Sequence, residues 1–159
     1  MDFAALPSYM KWANRRALRM LLCTASAGGL PILTHLLATE QIWAARVTGA
    51  APPCKVWPTW TLNDCAGAVS SGAVQWRIIL RERSTNEVIT YHNSKGEAFA
   101  SSIGDVALHV FAHGAYHRGQ ISQIVHAAGG EILDTDFIFY RRLKAGSGVG
   151  ATEINQQQQ

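Results

Sequence analysis

Residues 102–130 constrain the fold most strongly, because apolar residues recur there at helical spacing and histidines share their face. With about 100° of rotation per residue, an apolar stripe runs along one side of the predicted helix, and its centre lies between His113 and His117. His109 falls at the flank of the stripe, and His126 points away from it. The segment therefore predicts a long helix that turns two histidines toward the protein interior.

The inward pair His113 and His117 has two explanations. Imidazoles one helical turn apart can bind the same metal ion, which satisfies both rings at once. Alternatively, each is a core histidine with its own hydrogen-bond partner, because a buried imidazole nitrogen without a partner costs about 1–3 kcal/mol. The spacing alone leaves both explanations open.

The 159 residues predict a single all-α domain, an antiparallel four-helix bundle over residues 1–145 with a flexible tail over residues 146–159. Residues 87–99 predict a small hairpin or extended arm before the last long helix, because two β-prone runs flank a turn that contains glycine. Residues 134–143 predict a last short element. Helical periodicity covers residues 3–23, 30–47 and 62–83 and the histidine helix between Ser102 and Gly129.

Cysteine content and hydropathy indicate a cytoplasmic protein. The three cysteines form no CxxC pair, which is typical of a reduced compartment. No apolar run reaches the ~18 residues of a membrane span. The N-terminal segment carries its basic residues within an amphipathic pattern, so we interpret it as a mature helix and not as a signal peptide.

The net charge of +3 is weak and gives no sign of a nucleic-acid partner. The basic residues fall into clusters on separate elements, which solvated helix faces explain. These clusters are Arg15, Arg16 and Arg19; Arg77, Arg81 and Arg83; and Arg141, Arg142 and Lys144.

The second predicted helix offers a further histidine, His35, which shares its face with apolar residues and should point inward. Taken alone, it is best explained as a core histidine that is hydrogen-bonded to a backbone carbonyl or to Thr39. Glu40 lies about 140° away around the helix and is expected to be solvated. His92, in the predicted hairpin, is expected to be exposed. Arg118 is rotated off the histidine stripe, which favours a surface or interhelix ion pair.

Three segments resemble the DinB family of damage-inducible bacterial proteins. They are Trp12-Ala-Asn14-Arg, His35-Leu-Leu-Ala-Thr-Glu-x-x-Trp43-x-x-Arg46-x-x-Gly49, and His109-x-x-x-His113-x-x-Tyr116-His117-Arg118-Gly119-Gln120. The resemblance implies a four-helix bundle that binds a divalent metal through three histidines, one from the second helix and two from the fourth.

By position, the implied metal ligands are His35, His113 and His117. His109 occupies a position that the family often fills with histidine without using it as a ligand. His109, Tyr116 and Gln120 are the residues expected in the surroundings of the ligands. The catalytic residues stay unknown, because no acidic residue shares the inward stripe and no general base is visible.

The resemblance implies a metal-dependent enzyme, with a thiol S-transferase that uses a metal-held thiolate as its nucleophile as the first hypothesis. A metal-dependent hydrolase, a non-catalytic metal-binding stress-response protein and an interaction module without metal are the alternatives. Imidazole ligands suit Zn, Ni, Fe or Mn. The resemblance also implies a homodimer. We expect the open face of the metal near residues 50–60, where Trp57 and Trp60 could wall it.

Overall fold

The computed structural model describes residues 3–24, 27–93 and 95–146, which contain five α-helices and one two-stranded sheet. The elements are α1 (Leu6–Cys23), α2 (Leu30–Thr48), α3 (Leu62–Glu82), β1 (Val88–His92), β2 (Ala98–Ser102), α4 (Ile103–Ala127) and α5 (Phe137–Ala145), with a short 3-10 turn at Ala27–Gly29 before α2. The chain is therefore mostly helical, as predicted, with a small β-hairpin where the sequence favours one. The predicted tail, from residue 147 onward, lies outside the described residues.

Local sequence explains where the helices begin and end. Pro7 stands in the first turn of α1, where its missing N–H is tolerated, so α1 begins three residues later than the periodicity suggests. Thr61 and Asp64 form a reciprocal capping box at the start of α3. Ser102 accepts a hydrogen bond from the Asp105 backbone at the start of α4. Gly49 ends α2 with a φ of 71°, a conformation that glycine adopts without strain.

Helices α1 and α2 each pack against α3 and α4, and α5 packs on α1. Their buried side chains form two hydrophobic clusters, one near each end of the helices. The first contains Tyr9, Trp76 and Ile103, and the second contains Leu36 and Ile121. Each long helix contributes to both clusters, so the order in which it meets them gives its direction.

Those directions differ from a simple alternating order. Helices α1 and α4 run from the first cluster to the second, whereas α2 and α3 run from the second to the first. Neighbours α2 and α3 are therefore parallel, and residues 49–61 must return along the length of α2 before α3 begins. An extended loop of this length reaches about 40 Å, which is longer than a helix of 19 residues at 1.5 Å per residue.

Between the two clusters lies a layer of buried polar side chains. Asn14 of α1, Glu40 of α2 and Arg118 of α4 lie there, at the midpoints of their helices. We call these three residues the polar layer. Gly72 of α3 faces it, because a Cβ built on Gly72 would lie 3.4 Å from a Glu40 carboxylate oxygen.

The hairpin connects α3 to α4 without crossing the bundle. Its strands pair in antiparallel register, with Val88 opposite Ser102 and His92 opposite Ala98. His92 is exposed, as expected. Across the described ranges, no helix combines the length and apolarity that crossing a membrane would need.

Candidate metal centre

Three histidine side chains converge beside the polar layer. His35 comes from α2, and His113 and His117 come from α4. One ring nitrogen from each lies within 4.8 Å of the others, and the Nε2 atoms of His113 and His117 are 3.1 Å apart. In the part of the chain that the structure describes, no carboxylate or thiol joins this cluster. The convergence matches the geometry expected from the helical stripe and from the family motif.

The loop of residues 49–61, which we call the crossing loop, orients His35. The Nδ1–H of His35 donates to the backbone carbonyl of Val56 at 3.0 Å, which leaves Nε2 free to act as a ligand. The indole of Trp57 stacks on the same imidazole, with ring centroids 3.9 Å apart and planes 12° apart. Trp60, which was expected beside Trp57, instead packs against the second hydrophobic cluster.

A side chain of α4 orients His117 in the same way. The Nδ1–H of His117 donates a hydrogen bond to the amide oxygen Oε1 of Gln120, at 2.7 Å. The opposite nitrogen, Nε2, is then the one that faces His113. A ligating histidine characteristically donates its second N–H to an oxygen in this manner.

Burial favours the neutral form of two of the clustered histidines, His113 and His35. Desolvation, followed by the neighbouring histidines His117, His35 and His109, lowers the pKa of His113 to about 4. Desolvation also lowers the pKa of His35 and outweighs the opposite effect of the hydrogen bond to Val56. Neutral imidazole is the form that coordinates a metal.

His109 and Tyr116 lie at the edge of the cluster. The exposed His109 ring lies 5.7 Å from that of His113 and packs edge-on against Trp43 at 5.2 Å. Tyr116 is 65% exposed, and its ring lies 5.1 Å from that of His117. Within the described ranges, neither side chain hydrogen-bonds to any of the three clustered histidines.

The expectation that Glu40 is solvated was wrong. Glu40 is 2% exposed and accepts a hydrogen bond from Asn14 Nδ2 at 2.8 Å. Its backbone carbonyl accepts one from Trp76 Nε1 at 3.0 Å. Desolvation raises the pKa of the Glu40 carboxyl to about 7, although the Asn14 hydrogen bond and the charge of Arg118 lower it. The angle of about 140° between Glu40 and His35 around α2 suggested exposure of Glu40, but α2 packs against other helices on more than one side.

Arg118 is also buried, so of the two positions expected for it, at the surface or between helices, the interhelix one is correct, although its partners are neutral side chains of α1 and not an ion-pair partner. It is 1% exposed and donates hydrogen bonds to Asn14 Oδ1 and to the Tyr9 hydroxyl, each at 2.9 Å. Tyr9 in turn donates to the carbonyl of Thr135 at 2.7 Å. Two features of the sequence could have predicted that Glu40 and Arg118 are buried. Leucines occur on several sides of α2, and the small residue Gly72 lies opposite α2.

A cavity of about 520 Å³ lies between the loop that follows α2 and strand β1, and none of the three clustered histidines lines it. Val56 connects the cavity to the histidine cluster. It lines the cavity, and its backbone carbonyl accepts the hydrogen bond from His35 Nδ1–H. Arg46 and Lys55 contribute positive charge to the cavity wall, and Cys54 contributes a half-buried thiol. Desolvation raises the pKa of the Cys54 thiol, so this cysteine stays protonated at pH 7.

Comparison with known proteins gives a single positive result. Searches of curated proteins and of solved structures returned no match. The sequence profile of the DinB family matches residues 30–157, which include all three clustered histidines and most of the chain. The chain belongs to the DinB family.

Proposed function

We propose that this protein is a metal-dependent enzyme in which His35, His113 and His117 hold one divalent metal ion within a DinB-type four-helix bundle. The observation that carries the proposal is the convergence of three imidazoles from two helices on one point. Two of the three histidines donate a hydrogen bond from Nδ1–H to an oxygen atom, and this bond fixes the ring orientation that a metal-binding histidine needs.

The reaction that we propose is thiol S-transfer, with metal-dependent hydrolysis as the alternative. Three protein ligands leave coordination positions open, and a divalent metal held there lowers the pKa of a thiol or water that binds to it. The chain's own residues would bind and orient the substrate. Arg46 and Lys55, in the cavity that shares Val56 with the histidines, would bind the carboxylates of a low-molecular-weight thiol.

Trp57 has a separate part in this proposal. Its indole covers one face of the His35 ring, so it would form an apolar wall beside a metal ion that the three histidines hold. Such a wall limits access of water while the cavity admits the thiol.

The proposal is tested by loading the purified protein with cobalt and recording its absorption spectrum while a small thiol is added. We expect a sulfur-to-metal charge-transfer band in the wild type. His117→Ala should lose both cobalt and band, whereas His109→Ala should keep one equivalent of cobalt. Equal loss of metal from the two variants would contradict the ligand assignment. Full cobalt loading without a band at saturating thiol would leave hydrolysis or a non-catalytic metal-binding role.

A further inference from the structure

A groove lined by cationic side chains lies on the opposite edge of the helices from the histidines. It has a volume of about 430 Å³ and is formed by α1, α3, α5 and the segment before α5. We call it the basic groove. Its cationic residues are Lys11, Arg15, Arg16, Arg19, Arg77 and Lys144, which are six of the 14 lysines and arginines of the chain. Among the residues that the structure describes, no aspartate or glutamate lines it.

The fold creates this concentration of charge from clusters that are separate in the sequence. Members of all three basic clusters, on α1, α3 and α5, meet at the one groove. On α1, Lys11, Arg15 and Arg19 follow each other at intervals of four residues, so they form a row with steps of about 6 Å. The expectation that separate solvated helix faces account for these residues was therefore incomplete.

The cations of the groove have no carboxylate partners within the described ranges. The ion pairs found there, Arg81 with Glu82 and Arg83 with Glu87, lie elsewhere. Arg16 is held in place, because its Nε donates to the carbonyl of Asp134 and its guanidinium lies over the Trp12 ring at 4.9 Å. Like charges gathered in this way repel one another unless an anion lies between them.

Tyr140 adds a hydrogen-bonding group to the wall of the basic groove. The residue is 5% exposed and lines the groove. Within the described ranges, only the Thr24 hydroxyl and the Arg118 Nε are buried without a hydrogen-bond partner, so the Tyr140 hydroxyl is accessible to solvent. It makes no hydrogen bond to any described residue and is free to bind a ligand oxygen in the groove.

The groove also indicates which anion it would bind. Arg16 lies over the Trp12 ring, and Tyr140 packs beside it at 5.5 Å, so Trp12 is already engaged and is a poor platform for a nucleobase. Guanidinium groups pair with phosphate oxygens in a bidentate geometry. The volume falls within the range of small-molecule sites, about 300–1,000 Å³. We propose that the basic groove binds a small molecule that carries two or more phosphate groups.

This site is separate from the metal centre, because the groove lies at α1 and α3 whereas the histidines lie between α2 and α4. The test is isothermal titration calorimetry with inorganic tripolyphosphate. The groove variant is Arg15→Gln/Arg19→Gln. The matched control is Arg141→Gln/Arg142→Gln, which removes the same charge from exposed residues of α5 outside the groove.

We expect one tripolyphosphate per chain, with binding about tenfold weaker in the groove variant and unchanged in the control. Tyr140→Phe, which keeps the ring and removes only the hydroxyl, should also weaken binding. Equal weakening in the two double variants would overturn the proposal, because it would mean that net charge alone attracts the anion. Absence of binding to the folded wild type at millimolar tripolyphosphate would also overturn it.

Two further ligands distinguish the small molecule from larger polyanions. A single-stranded oligonucleotide and vesicles that contain an anionic phospholipid are titrated under the same salt conditions. The proposal expects both to bind more weakly than tripolyphosphate at equal phosphate concentration. Tighter binding of either, lost in the groove variant and kept in the control, would replace the small molecule with a nucleic acid or a membrane surface.

Discussion

Glu40→Gln should change how the stability of the protein depends on pH. Glu40 is fully enclosed and its pKa is raised to about 7, so the native state holds this proton to a higher pH than the unfolded chain, whose glutamates titrate near 4.5. Between these two values the native state binds more protons than the unfolded state. The free energy of unfolding of the wild type therefore falls as the pH rises through this window.

The size of the effect follows from the difference of about 2.5 pKa units. At about 1.36 kcal/mol per unit, Glu40 removes about 3 kcal/mol of stability from the wild type above pH 8 compared with pH 4. Glutamine has nearly the same shape, does not titrate, and can accept the Asn14 hydrogen bond through its own Oε1. Any packing penalty of the amide against Gly72 shifts all values by the same amount, so it leaves the slope untouched.

The assay is urea denaturation of the metal-free wild type and variant at a series of pH values from 4 to 8. We expect the unfolding free energy of Glu40→Gln minus that of the wild type to rise by about 3 kcal/mol across the series. Titration of the histidines occurs in both proteins and cancels in this difference. The exposed Glu131→Gln serves as a control for the removal of one surface carboxyl. A difference for Glu40→Gln that does not change with pH would refute the raised pKa of the Glu40 carboxyl.

Three further expectations concern other parts of the molecule. Tyr9→Phe removes the oxygen that accepts from Arg118 and the donor to Thr135, so urea unfolding should show a loss of about 2 kcal/mol; a loss below about 0.5 kcal/mol would mean that water replaces both bonds. Trp57→Ala should weaken metal binding about tenfold in a chelator competition while leaving the stability of the metal-free protein within about 0.5 kcal/mol; unchanged affinity would contradict the role of the stacked ring. We also propose a homodimer, and a sedimentation profile with only the 17.3 kDa species at micromolar concentration would count against it.

Helical periodicity was sufficient to place His113 and His117 on one inward face, because both positions belong to one helix and depend on the 3.6-residue repeat alone. It also turned His35 inward. It failed at Glu40 and left the position of Arg118 undecided between the surface and a helix interface, because a helical wheel describes one helix and contains no information on how many neighbours surround it. Burial at these two positions depends on α1 and α3, which are distant in sequence.

Two other features lay beyond local patterns for the same reason. The parallel pair α2 and α3 requires a loop that runs along the helices, and the composition of residues 50–60 indicates a loop without indicating its path. That path brings Val56 and Trp57 to His35. The basic groove combines residues from three helices, so its charge density appears only when those helices are assembled.

The polar layer has a consequence for the alignment of the helices. Apolar side chains tolerate sliding of one helix past another, because one leucine can replace the next. Asn14, Glu40 and Arg118 do not, since a slip of one turn, about 5.4 Å, would separate their hydrogen-bonding atoms and leave an amide, a carboxyl and a guanidinium unsatisfied in the core. Glu40 follows His35 by little more than one turn, and Arg118 is adjacent to His117. The hydrogen bonds of the polar layer therefore fix the axial register of α2 relative to α4. The same register aligns the three imidazoles in the absence of a metal ion.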